Sequence, residues 1–376
     1  MRRLWLALPL LTFLSCKKES VEGSPSADPR PAQAQSATSS TALGSSGAPS
    51  ASQAPVAAST APAPSPLRCK ALDAKKLVAI GATAGRARLA AAANGRVYVF
   101  AQDESGGKVT LVSMARDGSK VSKLGKLTAM QPPSALVVDD QAAYLTFRGT
   151  LKRIPESGGE PQDLMKNSGK PLALANGKLY ALRCDRERKL DELVSVNKTS
   201  GEATVIGSIE RKSPKGCEYS ALAVNEATAF VSDWDRRRLL AISLGDGALR
   251  VLVEKQPFPG RIALAPDALL YQSADGIMKL PLAGGAATRF APVGAMPFES
   301  MAWDDTHLYV MNTPAYSMRE MLIRIARDGG KREELEYFQV SDVTRGGGNV
   351  DVAVDEQCAY IAHDGKNYLE ILARAK

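Results

Sequence analysis

The chain has 376 residues, 44% of them hydrophobic, with 48 Lys and Arg against 40 Asp and Glu. Its net charge of +8 is a modest excess that permits weak attraction to anionic glycans or lipid headgroups but does not mark a nucleic-acid binder. No basic groove with interleaved aromatics is present, and no internal apolar run reaches membrane-spanning length.

The first element is a leader. Met1-Arg2-Arg3 is a short basic segment and Leu4 to Leu14 an apolar one, too short to cross a bilayer as a helix. It closes in Phe13-Leu14-Ser15-Cys16, which resembles the lipobox of bacterial lipoproteins, with Phe13 where that pattern usually has Leu. The resemblance implies a signal peptide over 1–15, lipid attachment at Cys16 and anchoring in the membrane. Lys17 stands where an Asp often signals inner-membrane retention, so the implied address is the outer membrane.

Residues 16–66 are a lipidated Cys followed by an Ala/Ser/Pro-rich stretch. From residue 20 to 66 there is no aromatic, and only Glu22, Asp28 and Arg30 carry charge. Such a segment cannot bury enough apolar surface to offset its ordering entropy and reads as a disordered tether. It would reach about 40 Å as a coil and roughly 140 Å fully extended.

Residues 67–376 read as one all-β domain built on a recurrence of roughly 40 residues. An apolar residue followed by an aromatic returns as Val97-Tyr98, Ala143-Tyr144, Leu179-Tyr180, Ala229-Phe230, Leu270-Tyr271, Leu308-Tyr309 and Ala359-Tyr360. Asn94, Asp140, Asn176, Asn225, Asp267, Asp305 and Asp355 precede these rings by four or five residues and read as turn caps. A strand of alternating apolar residues follows each ring, for example Leu239-Leu240-Ala241-Ile242, and then a Gly-containing hairpin such as Asp246-Gly247. This grammar predicts a seven-bladed β-propeller, with six or eight blades as alternatives if a degenerate repeat is miscounted. The seventh repeat lacks a fourth strand. Lys76 to Ile80 is expected to supply it and close the ring.

Ile277-Met278-Lys279-Leu280-Pro281-Leu282-Ala283-Gly284-Gly285 and Trp303-Asp304-Asp305-Thr306-His307-Leu308-Tyr309 resemble repeats of bacterial secreted and lipoprotein propellers, distant relatives of the Tyr-Trp-Thr-Asp and NHL propellers. The resemblance covers residues 76–376 and concerns the fold. The second-position Trp of receptor-type repeats is absent, so no receptor-type ligand is carried over.

Beyond Cys16 there are four cysteines, Cys69, Cys184, Cys217 and Cys358, an even number that suggests disulfides in an exported protein. Blade topology places Cys69 with Cys358 at one face and Cys184 with Cys217 at the other, which predicts those two bridges. No metal-ligand or cofactor motif is found. His307 and His363 have no spaced partner, and there is no Gly-x-Ser-x-Gly elbow. No catalytic residue is assigned.

The candidate ligand-binding residues lie in irregular loops: Trp234 beside Arg236, Arg237 and Arg238, Arg183 and Arg186 in the preceding blade's equivalent loop, and Tyr316 two blades on. Trp, Tyr and Arg are favoured at binding hot spots. The expected function is a monomeric, non-catalytic module at the cell envelope that binds a protein or an anionic glycan. The alternative is a lactonase- or lyase-like propeller enzyme with its site in the central channel. The inner strands, such as Ala135-Leu136-Val137-Val138, favour the former because catalysis needs converging carboxylates or His.

Overall fold

The computed structural model describes residues 78–79, 86–102, 107–116, 119–128, 133–185, 187, 190–210, 219–256, 259–292, 298–304, 306–312, 319–339, 350–355, 358–363 and 368–373. The leader, Cys16 and the tether lie outside them. The chain divides into Met1–Pro62 and Ala63–Lys376, and every described residue belongs to the second unit.

The described residues form strands and no helix. After β1 (Val78–Ala79), six antiparallel sheets of four consecutive strands follow. The first is β2 (Arg86–Ala93), β3 (Arg96–Gln102), β4 (Lys108–Ala115) and β5 (Ser122–Thr128). The second is β6 (Ala135–Val138), β7 (Ala142–Phe147), β8 (Thr150–Pro155) and β9 (Gln162–Lys166). The third is β10 (Ser168–Ala175), β11 (Lys178–Asp185), β12 (Leu190–Val196) and β13 (Ala203–Glu210). The fourth is β14 (Tyr219–Val224), β15 (Thr228–Asp233), β16 (Arg238–Ser243) and β17 (Leu249–Val253). The fifth is β18 (Ile262–Leu264), β19 (Ala268–Ser273), β20 (Gly276–Pro281) and β21 (Thr288–Ala291). The sixth is β22 (Phe298–Trp303), β23 (His307–Asn312), β24 (Arg319–Ala326) and β25 (Arg332–Gln339).

A further sheet joins the two ends of the domain. Its order is β1, β28 (Tyr368–Ala373), β27 (Cys358–His363) and β26 (Val350–Val354). Val78 pairs with Leu369 and Ala79 with Tyr368. The innermost strands β2, β6, β10, β14, β18, β22 and β26 neighbour one another in that order, and β26 lies next to β2. This is a β-propeller. Six blades are consecutive in the chain, and the expected count of seven depends on the joined sheet.

The core sits between sheets rather than within one. A cluster of buried apolar side chains fills each junction, such as Val97, Val99 and Met114 of the first sheet against Cys358 and Tyr360 of the joined one. The aromatic of the second strand is the main wedge. Tyr98 packs against the second sheet, Tyr144 against the third, Tyr180 against the fourth, Phe230 against the fifth, Tyr309 against the joined sheet and Tyr360 against the first. The fifth repeat departs from this. Leu270 holds the wedge position against the sixth sheet, whereas Tyr271, one residue later, turns back to the fourth. A shift of one residue in a strand exchanges the two faces.

The turn caps need a similar correction. In the second sheet the capping carboxylate is Asp139, not Asp140, and in the sixth Asp304 caps the turn, while Asp305 lies outside the described residues. Asp139 Oδ1 accepts from the N–H groups of Gln141 and Ala142, and Asp304 Oδ1 from those of Thr306 and His307. Asn225 and Asp355 cap as expected. Asn94 and Asn176 act through the backbone instead. With Gly95 and Gly177 they form two-residue turns in which both φ angles are positive.

Candidate functional site

The inner strands enclose a central cavity of about 580 Å³ at the end where those strands begin. Every sheet contributes to its wall. Ala90, Ser134, Lys170, Tyr219, Arg261, Ser300 and Asp351 represent the seven in ring order, and Gln272 and Trp234 complete the polar lining. Trp234 reaches the cavity from the β15–β16 turn and is 40% exposed, which is unusual for so large a ring.

Asp351 ties three sheets together at this mouth. Its Oδ2 accepts a hydrogen bond from Ala90 N at 3.0 Å, and its Oδ1 takes the Ser300 hydroxyl. Val352 N donates to Ser300 Oγ at 3.2 Å. Burial away from water raises the Asp351 pKa above the ordinary carboxylate value, against the opposing effects of the Ser300 hydroxyl, the Ala90 N–H and the Arg261 charge. On another side, Tyr219 donates its hydroxyl to the buried Asp191 at 2.8 Å.

The chain leading into β18 is held from both flanks. Ser232 Oγ donates to Pro259 O at 2.8 Å, Arg261 N donates to Gln272 Oε1 at 3.2 Å, and Gln272 N donates back to Arg261 O at 2.9 Å. Between them Gly260 leaves no room for a side chain, since a Cβ there would run into the Gln272 amide. Arg261 is therefore presented on a fixed backbone.

Three of the arginines that stand out in the sequence are engaged within the protein. Arg183 pairs with Glu192 at 2.6 Å and Arg238 with Asp233 at 2.8 Å, and both acids are buried. Arg236 lies 3.8 Å from Glu210. Arg237 occupies the turn with a φ of 55°. Trp234 alone of the described candidates lines the cavity. Arg186 and Tyr316 lie outside the described residues. Lys170, Arg261, Gln272 and Asp351 were not singled out from the sequence. They stand near strand ends, where the periodic pattern stops carrying information. A basic or acidic residue interrupting an otherwise apolar inner strand is the signal that could have found Lys170 and Asp351.

Cys184 and Cys358 are each disulfide-bonded. The partners assigned to them, Cys217 and Cys69, lie outside the described residues. His307 Nδ1 contacts Thr306 Oγ1 at 2.9 Å in the turn before β23, and His363 ends β27. Among the described residues no three His, Cys, Asp or Glu side chains are grouped as metal ligands would be, and no helix is long and apolar enough to cross a membrane. A second cavity, of about 770 Å³, lies at the opposite end, on the seam between the third and fourth sheets. There the Asn176 amide donates to the carbonyls of Asn225 and Glu226, which makes that seam a joint between blades.

This architecture is shared. The chain is similar to the extracellular domain of BT4673 from B. thetaiotaomicron, described as a one-component system in one structure and a hybrid two-component system in another. The TM-scores are 0.53 and 0.54 at 11% and 12% identity. Each alignment covers 79% of this chain and 39% of that one, so this chain spans well under half the length of those structures. At such identity the likeness is one of fold. No protein-family model matches the chain, and no curated protein matches it either.

Proposed function

We propose that the chain is a seven-bladed, lipid-anchored propeller of the cell envelope, acting as a monomeric, non-catalytic module that binds a protein or glycan at the mouth of its channel. The joined sheet serves as the seventh blade, a reading supported by the position of β26 between β22 and β2. Anchoring through Cys16, with an outer-membrane address, rests on the lipobox-like segment. The fold likeness to an extracellular domain agrees with export.

The observation that carries the binding reading is the cavity itself. It is concave, of a size typical of ligand sites, lined by residues of every sheet with polar side chains from all but the first, and overlooked by an exposed Trp. The one carboxylate among the described residues of its lining, Asp351, already has both oxygens engaged by Ser300 and Ala90, which leaves it poorly placed to act as a base.

The test uses the full-length lipid-carrying protein in detergent to capture components of envelope extracts. Ser134, exposed at the cavity wall, is replaced to block the mouth. A saturable partner retained by the wild type and lost with Ser134→Trp is expected. Capture undiminished by that substitution would overturn the reading.

A further inference from the structure

We infer that the channel mouth recognises the acidic end of a carbohydrate, with Lys170 and Arg261 receiving its carboxylates and Trp234 its ring face. This rests on the reading of the cavity as a binding site and adds the ligand class and the residues that select it.

The distribution of charge is the first argument. Arg183, Arg236 and Arg238 near the mouth each have a carboxylate of the protein within 4 Å. Lys170 and Arg261 line the cavity and are exposed, and among the described residues neither has a carboxylate within 4 Å, although the charge of Arg261 acts on Asp351. Two exposed cations in a concave wall favour an anionic ligand, because charge-assisted hydrogen bonds to a carboxylate are about twice as strong as neutral ones. Arg261 adds a planar fork that can grip a carboxylate through two parallel bonds.

The second argument is the arrangement. Lys170 comes from the third sheet, Trp234 from the fourth and Arg261 from the fifth, so the ring and the two cations form one continuous arc. Around the rest of the ring, the sixth and joined sheets contribute Ser300 and Asp351, and the second contributes Ser134. A ligand spanning the mouth meets cations and an aromatic face on one side, and on the other the serine hydroxyls beside the Asp351 carboxylate, which Ser300 and Ala90 already engage. A sugar acid offers those three features together: a carboxylate, a ring with an apolar face, and hydroxyls. The third argument is preorganisation. The hydrogen bonds from Ser232 and to Gln272 hold the Arg261 backbone before any ligand arrives, which removes part of the ordering cost of binding.

The experiment is a calorimetric titration of the full-length protein in detergent with a galacturonic acid tetramer. A neutral galactose tetramer, tetraglutamate and inorganic sulfate are run in parallel. Saturable binding of the uronate is expected, weakened at least tenfold by Lys170→Ala, by Arg261→Ala and by Trp234→Ala, and weakened further by added salt. Arg289→Ala, which removes an exposed cation on β21, should leave it within twofold. Unchanged melting temperatures of the Lys170 and Arg261 variants would show that they fold. Equal binding of the neutral tetramer, of tetraglutamate or of sulfate would overturn the assignment to an acidic sugar, as would unaltered uronate binding by the Lys170 and Arg261 variants. Absence of uronate binding with capture still sensitive to Ser134→Trp would sink this inference and spare the broader one. Loss of both would sink both.

Discussion

Asp351 is a carboxylate that the folded state holds at an electrostatic disadvantage. Its pKa is raised by desolvation, so over the interval between the ordinary and the raised value the folded chain binds a proton that the unfolded chain has released. Stability from this group is full below the unfolded pKa and is lost as pH rises through the folded one. Thermal melts from about pH 4 to about pH 8 should show a downward slope for the wild type that Asp351→Asn removes. A slope identical in both proteins would place the titration elsewhere. Asp139 behaves in the opposite sense. Burial raises its pKa, but Lys198 and the N–H groups of Gln141 and Ala142 outweigh that and hold it below the usual carboxylate value. Its contribution is present at neutral pH and lost on acidification through that lowered value. At the mouth, Arg238→Ala strands the buried Asp233 and should cost about 3 kcal/mol in chemical denaturation. Removing Arg332 from its exposed pair with Glu334 should cost at most about 0.5 kcal/mol. This contrast explains what the sequence conveyed at residue scale. A cluster of arginines beside a tryptophan is visible in a linear string, but Glu192, Glu210 and Asp233 become their partners only through strand register and loop folding.

Between elements, the hairpin glycines have a second role. A Cβ on Gly247 would run into the Ile206 carbonyl on β13 of the preceding blade, and Gly201 stands against Leu164 of β9 in the same way. The turn therefore presses its backbone on the neighbouring outer strand, and the residue is constrained by both conformation and packing. Gly247→Ala should destabilise by about 3 kcal/mol. Gly284, also at positive φ but with open space around it, should cost only about 1 kcal/mol when replaced by Ala. Urea denaturation of the two variants distinguishes these costs, and equal losses would show that packing contributes nothing. Strand content and turn location were legible in the sequence because alternation and Gly-containing turns are local signals. Interlocking of blades was not, since it couples residues about 40 positions apart. The Asp139 and Asp304 caps illustrate the limit: adjacent aspartates give two equivalent readings until the backbone chooses one.

For the molecule as a whole, the architecture was legible because a repeat sums a weak signal over many copies, while the cavity wall was not, because each blade contributes a different residue there. Non-reducing peptide mapping is expected to yield Cys69–Cys358 and Cys184–Cys217. The first bridge would contribute about 5 kcal/mol in the chain-entropy model. Recovery of any other pairing would reject that assignment. Cys16→Ser should shift the protein from the membrane to the soluble fraction, since the anchor would go with the thiol; retention at the membrane would reject lipidation at Cys16. The pairing of Val78 and Ala79 with β28 also sets how the ring responds to mechanical load. A pull on the chain upstream of β1 loads the pairing of Val78 and Ala79 at the edge of that sheet, where strands peel one bond at a time. With Cys69 bonded to Cys358, the same pull bypasses that edge and is borne by a covalent link to β27, inside the sheet. Oxidation would thus turn a seam that unzips under tension into one that holds until the disulfide is reduced.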